Sequence, residues 1–189
     1  LYWLSAQSGE QRAIPFQSPL DADRPVLWKR PAVLDNGNMA VTDGKSNLFQ
    51  LRVSESSPVQ LTLKNTAALR MSEKAEIVSV GETLYGIDRD GQLVAFSTED
   101  LAVIGRWPLR QASEIGGMWK VDRYLFLKSF NNEWLCADDQ GKLLWRVRFP
   151  DAFVGAPVLS NGGIFMIQRE GEIHRINIHN GTTRLIFDT

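Results

Sequence analysis

Apolar and polar residues alternate along short stretches of this chain, and no segment sustains a helical stripe. Leu143-Leu144-Trp145-Arg146-Val147-Arg148-Phe149 and Glu172-Ile173-His174-Arg175-Ile176-Asn177 show the alternation most clearly. A period of two puts successive side chains on opposite faces of a pleated strand. Runs of this kind are four to seven residues long, rich in Val, Ile, Leu, Phe, Trp and Tyr, with short polar turns between them. The best stretch for a helix, Thr66–Ala75, reads as a loop with about one turn.

The turns carry a rhythm. Asp43-Gly44, Asp90-Gly91, Asn131-Asn132 and Glu170-Gly171 each divide two strand-like runs, and their second members stand 47, 41 and 39 residues apart. A second series follows about ten residues behind: Ser8-Gly9, Glu55-Ser56, Glu99-Asp100, Gln140-Gly141 and Asn180-Gly181, with second members 47, 44, 41 and 40 apart. Glycine and asparagine tolerate the positive φ that tight hairpin turns require. Two independent series share one drifting period of about forty residues, the signature of a repeat architecture. Four short antiparallel strands per repeat predict the blades of an all-β propeller, each blade burying its faces against its neighbours.

The turn between the third and fourth strands carries a resemblance. "WLCADDQGKLLWRVRF" resembles the repeat of the quinoprotein (PQQ-type) propellers, including the non-enzymatic outer-membrane assembly lipoproteins of that fold. The family repeat runs Ala-x-Asp-x-x-Thr-Gly-x-x-x-Trp. Gly141 and Trp145 fall at its glycine and tryptophan, while Leu135 and Ala137 replace its alanine and aspartate. The other copies are worn. One keeps Gly9, one keeps Gly181, and "LVAFSTEDLAVIG" keeps Ala95 but has Leu101 at the glycine position. Gly9, Gly91, Gly141, Gly171, Gly181 and Trp145 are read as the structural residues of the repeat.

The rhythm divides the chain into a half blade at 1–18 and four blades at 19–66, 67–112, 113–152 and 153–189. The chain opens on the strand-like Leu1-Tyr2-Trp3-Leu4, without a signal peptide. The half blade predicts a piece of a larger propeller, and the resemblance implies a ring of seven or eight blades, with other blades of that propeller among its partners. The resemblance implies a periplasmic or extracellular location.

Composition narrows the function classes. The chain has 189 residues, 43% apolar and 23% charged, with a formal net charge of −1. That balance offers no basic field for nucleic acid, and no apolar run is long enough to be a transmembrane segment. The one cysteine, Cys136, can make no intrachain disulfide and reads as a small buried hydrophobe. His174 and His179 lie an odd number of positions apart, which on a strand means opposite faces, so no metal site is expected from them.

An active quinoprotein dehydrogenase, by the resemblance, needs calcium or a lanthanide held by Glu, Asn and Asp, a catalytic Asp, a stacking Trp and often a Cys pair. The chain has no Cys pair, and Asp43, Asp88, Asp90, Asp138, Asp139 and Glu170 all fall in turns, where Asp favours local backbone bonds. The leading reading is a non-catalytic scaffold that binds a protein partner, with no cofactor and no catalytic residues. The alternatives are a PQQ- and calcium-dependent oxidoreductase whose site lies outside this chain, and a polysaccharide hydrolase or lyase. The loops entering first strands border the central channel. They nominate Trp28, Lys29, Arg30, Arg110, Glu114, Trp119, Lys120, Asp151 and Phe153 as a recognition rim. Gly116-Gly117 is read as a tight loop into a first strand.

Overall fold

Every regular element is a β-strand among the residues that the computed structural model describes: 1, 4–11, 16–17, 26–54, 59–70, 76–109 and 115–188. Sixteen strands form four antiparallel sheets, each a meander in sequence order. Blade 1 holds β1 (Ala32–Val33), β2 (Met39–Thr42), β3 (Asn47–Val53) and β4 (Leu61–Ala68). Blade 2 holds β5 (Val78–Val80), β6 (Thr83–Ile87), β7 (Gln92–Ser97) and β8 (Val103–Pro108). Blade 3 holds β9 (Ile115–Val121), β10 (Tyr124–Ser129), β11 (Glu133–Ala137) and β12 (Leu143–Arg148). Blade 4 holds β13 (Phe153–Ser160), β14 (Gly163–Gln168), β15 (Ile173–Ile176) and β16 (Thr183–Phe187). Ahead of them, Leu4 and Gln11 form an isolated antiparallel bridge across the turn of residues 5–10.

First strands neighbour one another: β1 lies against β5, β5 against β9, and β9 against β13. This is the radial order of a propeller, with strand one innermost and strand four on the rim. Burial follows the same gradient. Most of β2, β3, β6, β7, β10 and β11 is buried, whereas β8 and β16 are largely exposed.

The middle strands read as continuous apolar runs because both of their faces are covered. In blade 3, Leu125, Leu127, Leu135 and Ala137 join the core shared with blades 1 and 2. Their neighbours Phe126, Trp134 and Cys136 join the core shared with blade 4. The period of two thus assigns each residue to one of two inter-blade interfaces. Each large apolar side chain so buried contributes about 1.5–3 kcal/mol.

Among the described residues the turns are where the rhythm placed them; Glu55-Ser56 lies outside those residues. In the second-to-third turns, Gly44, Gly91, Asn132 and Gly171 take φ of 71°, 74°, 61° and 99°. In the third-to-fourth turns, Gly9, Leu101, Gly141 and Gly181 take 71°, 63°, 79° and 72°. Aspartates pin several of them. Asp43 Oδ1 accepts from the backbone N–H groups of Lys45, Ser46 and Asn47 at 2.9–3.0 Å. Asp88 Oδ1 serves Asp90 and Gln92, and Asp138 Oδ1 serves Gln140 and Lys142. The family's glycine position is filled in blade 2 by Leu101, a buried leucine held in the left-handed region.

A recurring clasp joins each blade to the next. Gln50 Nε2 of blade 1 donates to Thr98 O of blade 2 at 2.6 Å. Tyr85 Oη of blade 2 donates to Asp139 O of blade 3 at 2.7 Å. Trp145 Nε1 of blade 3 donates to Ile178 O of blade 4 at 2.7 Å. The donors differ, but the acceptor is always the first residue of the third-to-fourth turn. Packing reinforces the clasp at the turn glycine: a Cβ built on Gly181 would lie 2.8 Å from the Trp145 ring. Blade 2 reaches the same end by another route. Four residues after Leu101 stands Gly105, where blade 3 has Trp145. Trp107 folds its ring back over Gly105, and the same ring edge covers Gly141, whose Cβ would lie 2.9 Å from it.

Three local expectations need correction. Thr66, Ala67 and Ala68 are the end of β4, not a loop, because Asn47, Leu48 and Phe49 of the long β3 pair with them. Gly116 and Gly117 lie inside β9. Gly117 is needed there because the Trp119 ring folds back over it, where a Cβ would lie 2.2 Å away. Phe153 begins β13 rather than ending a loop.

Candidate functional site

Antiparallel meanders sort the connections between two faces. One face carries the second-to-third turns and the loops joining blades; the other carries the first-to-second and third-to-fourth turns. The nominated rim lay on the loop face, and the structure disperses it. Arg110 and Glu114 lie outside the described residues. Trp28 packs against Phe16 and Phe49, with ring centroids 5.7 and 5.5 Å away, as a half-buried part of the blade 1 core. The Lys29 side chain lies over Gly44. Arg30 extends toward Glu76 at 3.9 Å, largely exposed. Lys120 instead approaches Asp35, in the first-to-second turn of blade 1, at 3.8 Å. Asp151 is exposed in the loop before β13. The Phe153 side chain is only 1% exposed, so it offers its carbonyl rather than its ring.

Trp119 is the nominated residue that lines a concavity on this face. Between blades 3 and 4 lies a cleft of about 320 Å³. Blade 3 contributes Gly116 and Trp119 from β9, Lys128 and Ser129 from β10, and Phe130 and Asn132 from the following turn. Blade 4 contributes Ala152, Val154 and Gly155 around the start of β13, and Arg169 just after β14. Trp119 stacks on the fully buried Trp134, with centroids 5.4 Å apart and planes at 22°. It is thereby fixed as a flat wall. The exposed Phe130 ring lies over Gly116 at the mouth.

Two cations define the cleft's electrostatics. Lys128 Nζ donates to Phe153 O across the blade boundary at 2.5 Å and sits 5.6 Å from the centre of the Trp134 ring. Burial, and then the charge of Arg169, hold its pKa below the ordinary lysine value. Among the described residues, neither Lys128 nor Arg169 has an ion-pair partner. Sequence reasoning missed both. Lys128 did leave a signal: it is the charged residue inside the apolar run "YLFLKSF", on a middle strand where the pattern asks for a buried side chain.

Among the described residues, several acidic side chains that could ligate calcium are engaged locally. Asp43 and Asp138 aim their carboxylates at their own turns, and Asp88 divides its own between its turn and Arg106 on β8 at 3.1 Å. His174 Nε2 lies 3.0 Å from Glu172 Oε2 and its ring packs on Phe153, while His179 is exposed in a turn. Among the described residues, no three His, Cys, Asp or Glu side chains are grouped to hold a metal ion. Burial pushes the Cys136 thiol up to about 12, with the nearby Asp138 charge adding to it, so the thiol is not a nucleophile at neutral pH.

Residues 110–184 match the family model described as outer membrane protein assembly factor BamB. The span covers blade 3, blade 4 up to the first residues of β16, the cleft between them, and the PQQ-like repeat read at Gly141 and Trp145. Solved structures agree on the fold. BamB from Moraxella catarrhalis superposes with a TM-score of 0.59 at 13% identity, over 82% of this chain and 50% of that one. The N-terminal domain of Nup159 gives 0.55 at 14%, over 84% and 43%; a segment of HIRA gives 0.50 at 12%, over 84% and 50%. This chain therefore spans about half the length of the BamB structure it matches. At these identities the likeness is one of fold. No curated protein sequence matches the chain. No helix is long and apolar enough to cross a membrane among the described residues.

Proposed function

We propose that the chain is a non-catalytic β-propeller domain that presents its loop face to a protein partner outside the cytoplasm. One observation carries the reading. The loop-face cleft is walled by a fixed tryptophan and bears two cations that have no ion-pair partner among the described residues, while Asp43, Asp88 and Asp138 bond to their own turns. Such a surface is suited to binding; among the described residues lining it, no acid–base pair or activated nucleophile is brought together. The matched family is described as an outer membrane protein assembly factor, which supports protein partners and an envelope location.

The test is affinity capture from an envelope extract with the wild-type chain and an Arg169→Glu variant run in parallel. A protein retained by the wild type and lost by the variant is the expected result. Identical retention by both would remove the loop-face cleft from the account.

A further inference from the structure

The geometry points to the blade 3–blade 4 cleft as a receptor for one carboxylate, presented by an acidic side chain on an extended, apolar-flanked segment of a partner protein. This rests on the reading of the chain as a protein-binding propeller and names what that site selects.

The argument starts with Lys128. Its ammonium has three donors. One is committed to Phe153 O at 2.5 Å. Phe153 O lies on blade 4, so this bond fixes the ammonium at the boundary between the two blades. Arg169 approaches from blade 4, exposed and without an ion pair among the described residues. Two like charges held near each other on a partly desolvated surface repel. An anion between them removes the repulsion and supplies acceptors to both.

The lining selects among anions. A guanidinium beside an ammonium suits a planar two-oxygen acceptor. Beside the charges and the polar Ser129 and Asn132, the cleft offers apolar surface: the Trp119 wall, the Phe130 shelf and the 40%-exposed Val154. A free, fully hydrated anion gains nothing from that apolar rim. An acidic residue with apolar neighbours places one group on the cations and the others on Trp119, Phe130 and Val154. Gly116 keeps the floor low, since a Cβ there would lie 2.7 Å from the Phe130 ring. Gly155, with φ 73°, opens the opposite wall at the irregularity in β13.

The test is an amide-shift titration of the intact ¹⁵N-labelled chain with three probes: a capped Leu-Glu-Leu peptide, its Leu-Gln-Leu counterpart, and inorganic phosphate. The glutamate peptide is expected to move the amides of Gly116, Ser129, Val154 and Arg169, and the glutamine peptide to leave them in place. Arg169→Gln changes an exposed side chain and should weaken the glutamate peptide by about tenfold. Arg169→Lys should restore part of that loss. Lys128→Met keeps the stem over Trp134 and should also weaken binding, with an unchanged far-ultraviolet spectrum reporting an intact fold. Phosphate moving these amides while the glutamate peptide does not would overturn the proposal in favour of a free-anion site. Equal responses to the glutamate and glutamine peptides would overturn it in favour of a purely apolar groove. Silence with all three probes would also overturn it. A partner captured equally by wild type and Arg169→Glu would in that case keep protein binding and move it to another surface.

Discussion

Replacing Gly141 by alanine separates two effects that the turn glycines combine. Gly141 has φ 79°, and its Cβ would stand 2.9, 3.0 and 3.1 Å from three atoms of the Trp107 ring. The left-handed backbone costs an alanine about 1–2 kcal/mol. The ring must also move by several tenths of an ångström, and it cannot retreat freely because it is already pressed over Gly105, where a Cβ would lie 2.2 Å away. Overpacking of this kind costs about 1–3 kcal/mol. The total for Gly141→Ala is therefore about 2–5 kcal/mol, or a Tm lower by about 4–20 °C for a chain of this size. Gly9 is the control: it has φ 71° with nothing within 4 Å of its Cβ, so Gly9→Ala should show the backbone cost alone. Urea unfolding followed by circular dichroism measures both. Combining Gly141→Ala with Trp107→Ala should bring the alanine's cost at 141 down to the Gly9 value, a coupling of about 1–3 kcal/mol. Equal losses in the Gly9 and Gly141 variants, or a double-mutant cycle without coupling, would refute the claim that Trp107 seats on the next blade's turn.

Three further outcomes follow from named contacts. Tyr85→Phe deletes the bond to Asp139 O and leaves that carbonyl without its donor, so chemical denaturation should show a loss of about 1–2 kcal/mol. Asp43→Ala removes the acceptor of three backbone N–H groups and should cost about 1–3 kcal/mol at neutral pH. Burial alone would raise the Asp43 pKa, but the hydrogen bonds from Asn47, Lys45 and Ser46 outweigh it and hold it below the ordinary value. Its stabilisation is therefore present above about pH 4 and lost as pH falls through the lowered folded value. The variant's stability-versus-pH curve should lack that acid limb. Cys136, wholly buried with its thiol pushed up to about 12, should resist a thiol reagent in the native chain and react fully in urea. Rapid native labelling would contradict its placement between blades 3 and 4.

The fold was legible because its punctuation is chemical. A left-handed turn position asks for Gly or Asn, and positions 44, 91, 132 and 171 all carry one with positive φ. Leu101 hid the equivalent position in blade 2, because a leucine gives no sign that its backbone is left-handed. The clasp was not legible at all. Its donors are Gln50, Tyr85 and Trp145, three unlike residues on β3, β6 and β12, and only the acceptor position repeats. Neighbours on the nominated rim point different ways for a related reason. Trp119 and Lys120 are adjacent in sequence, yet one lines the loop-face cleft and the other reaches Asp35, as alternation along a strand requires. Lys128 and Arg169 stand 41 positions apart and meet only because blades 3 and 4 stack. No local pattern could have paired them.

The central claim is that consecutive sheets lock together through the third-to-fourth turn of the later one. The Trp145 indole proton tests it most directly, in a nuclear Overhauser experiment combined with exchange into deuterated water. The account predicts cross-peaks from this proton to Ile178 and from the ring to Gly181, together with slow exchange. Cross-peaks confined to its own sheet, with exchange as fast as that of an exposed indole, would contradict it.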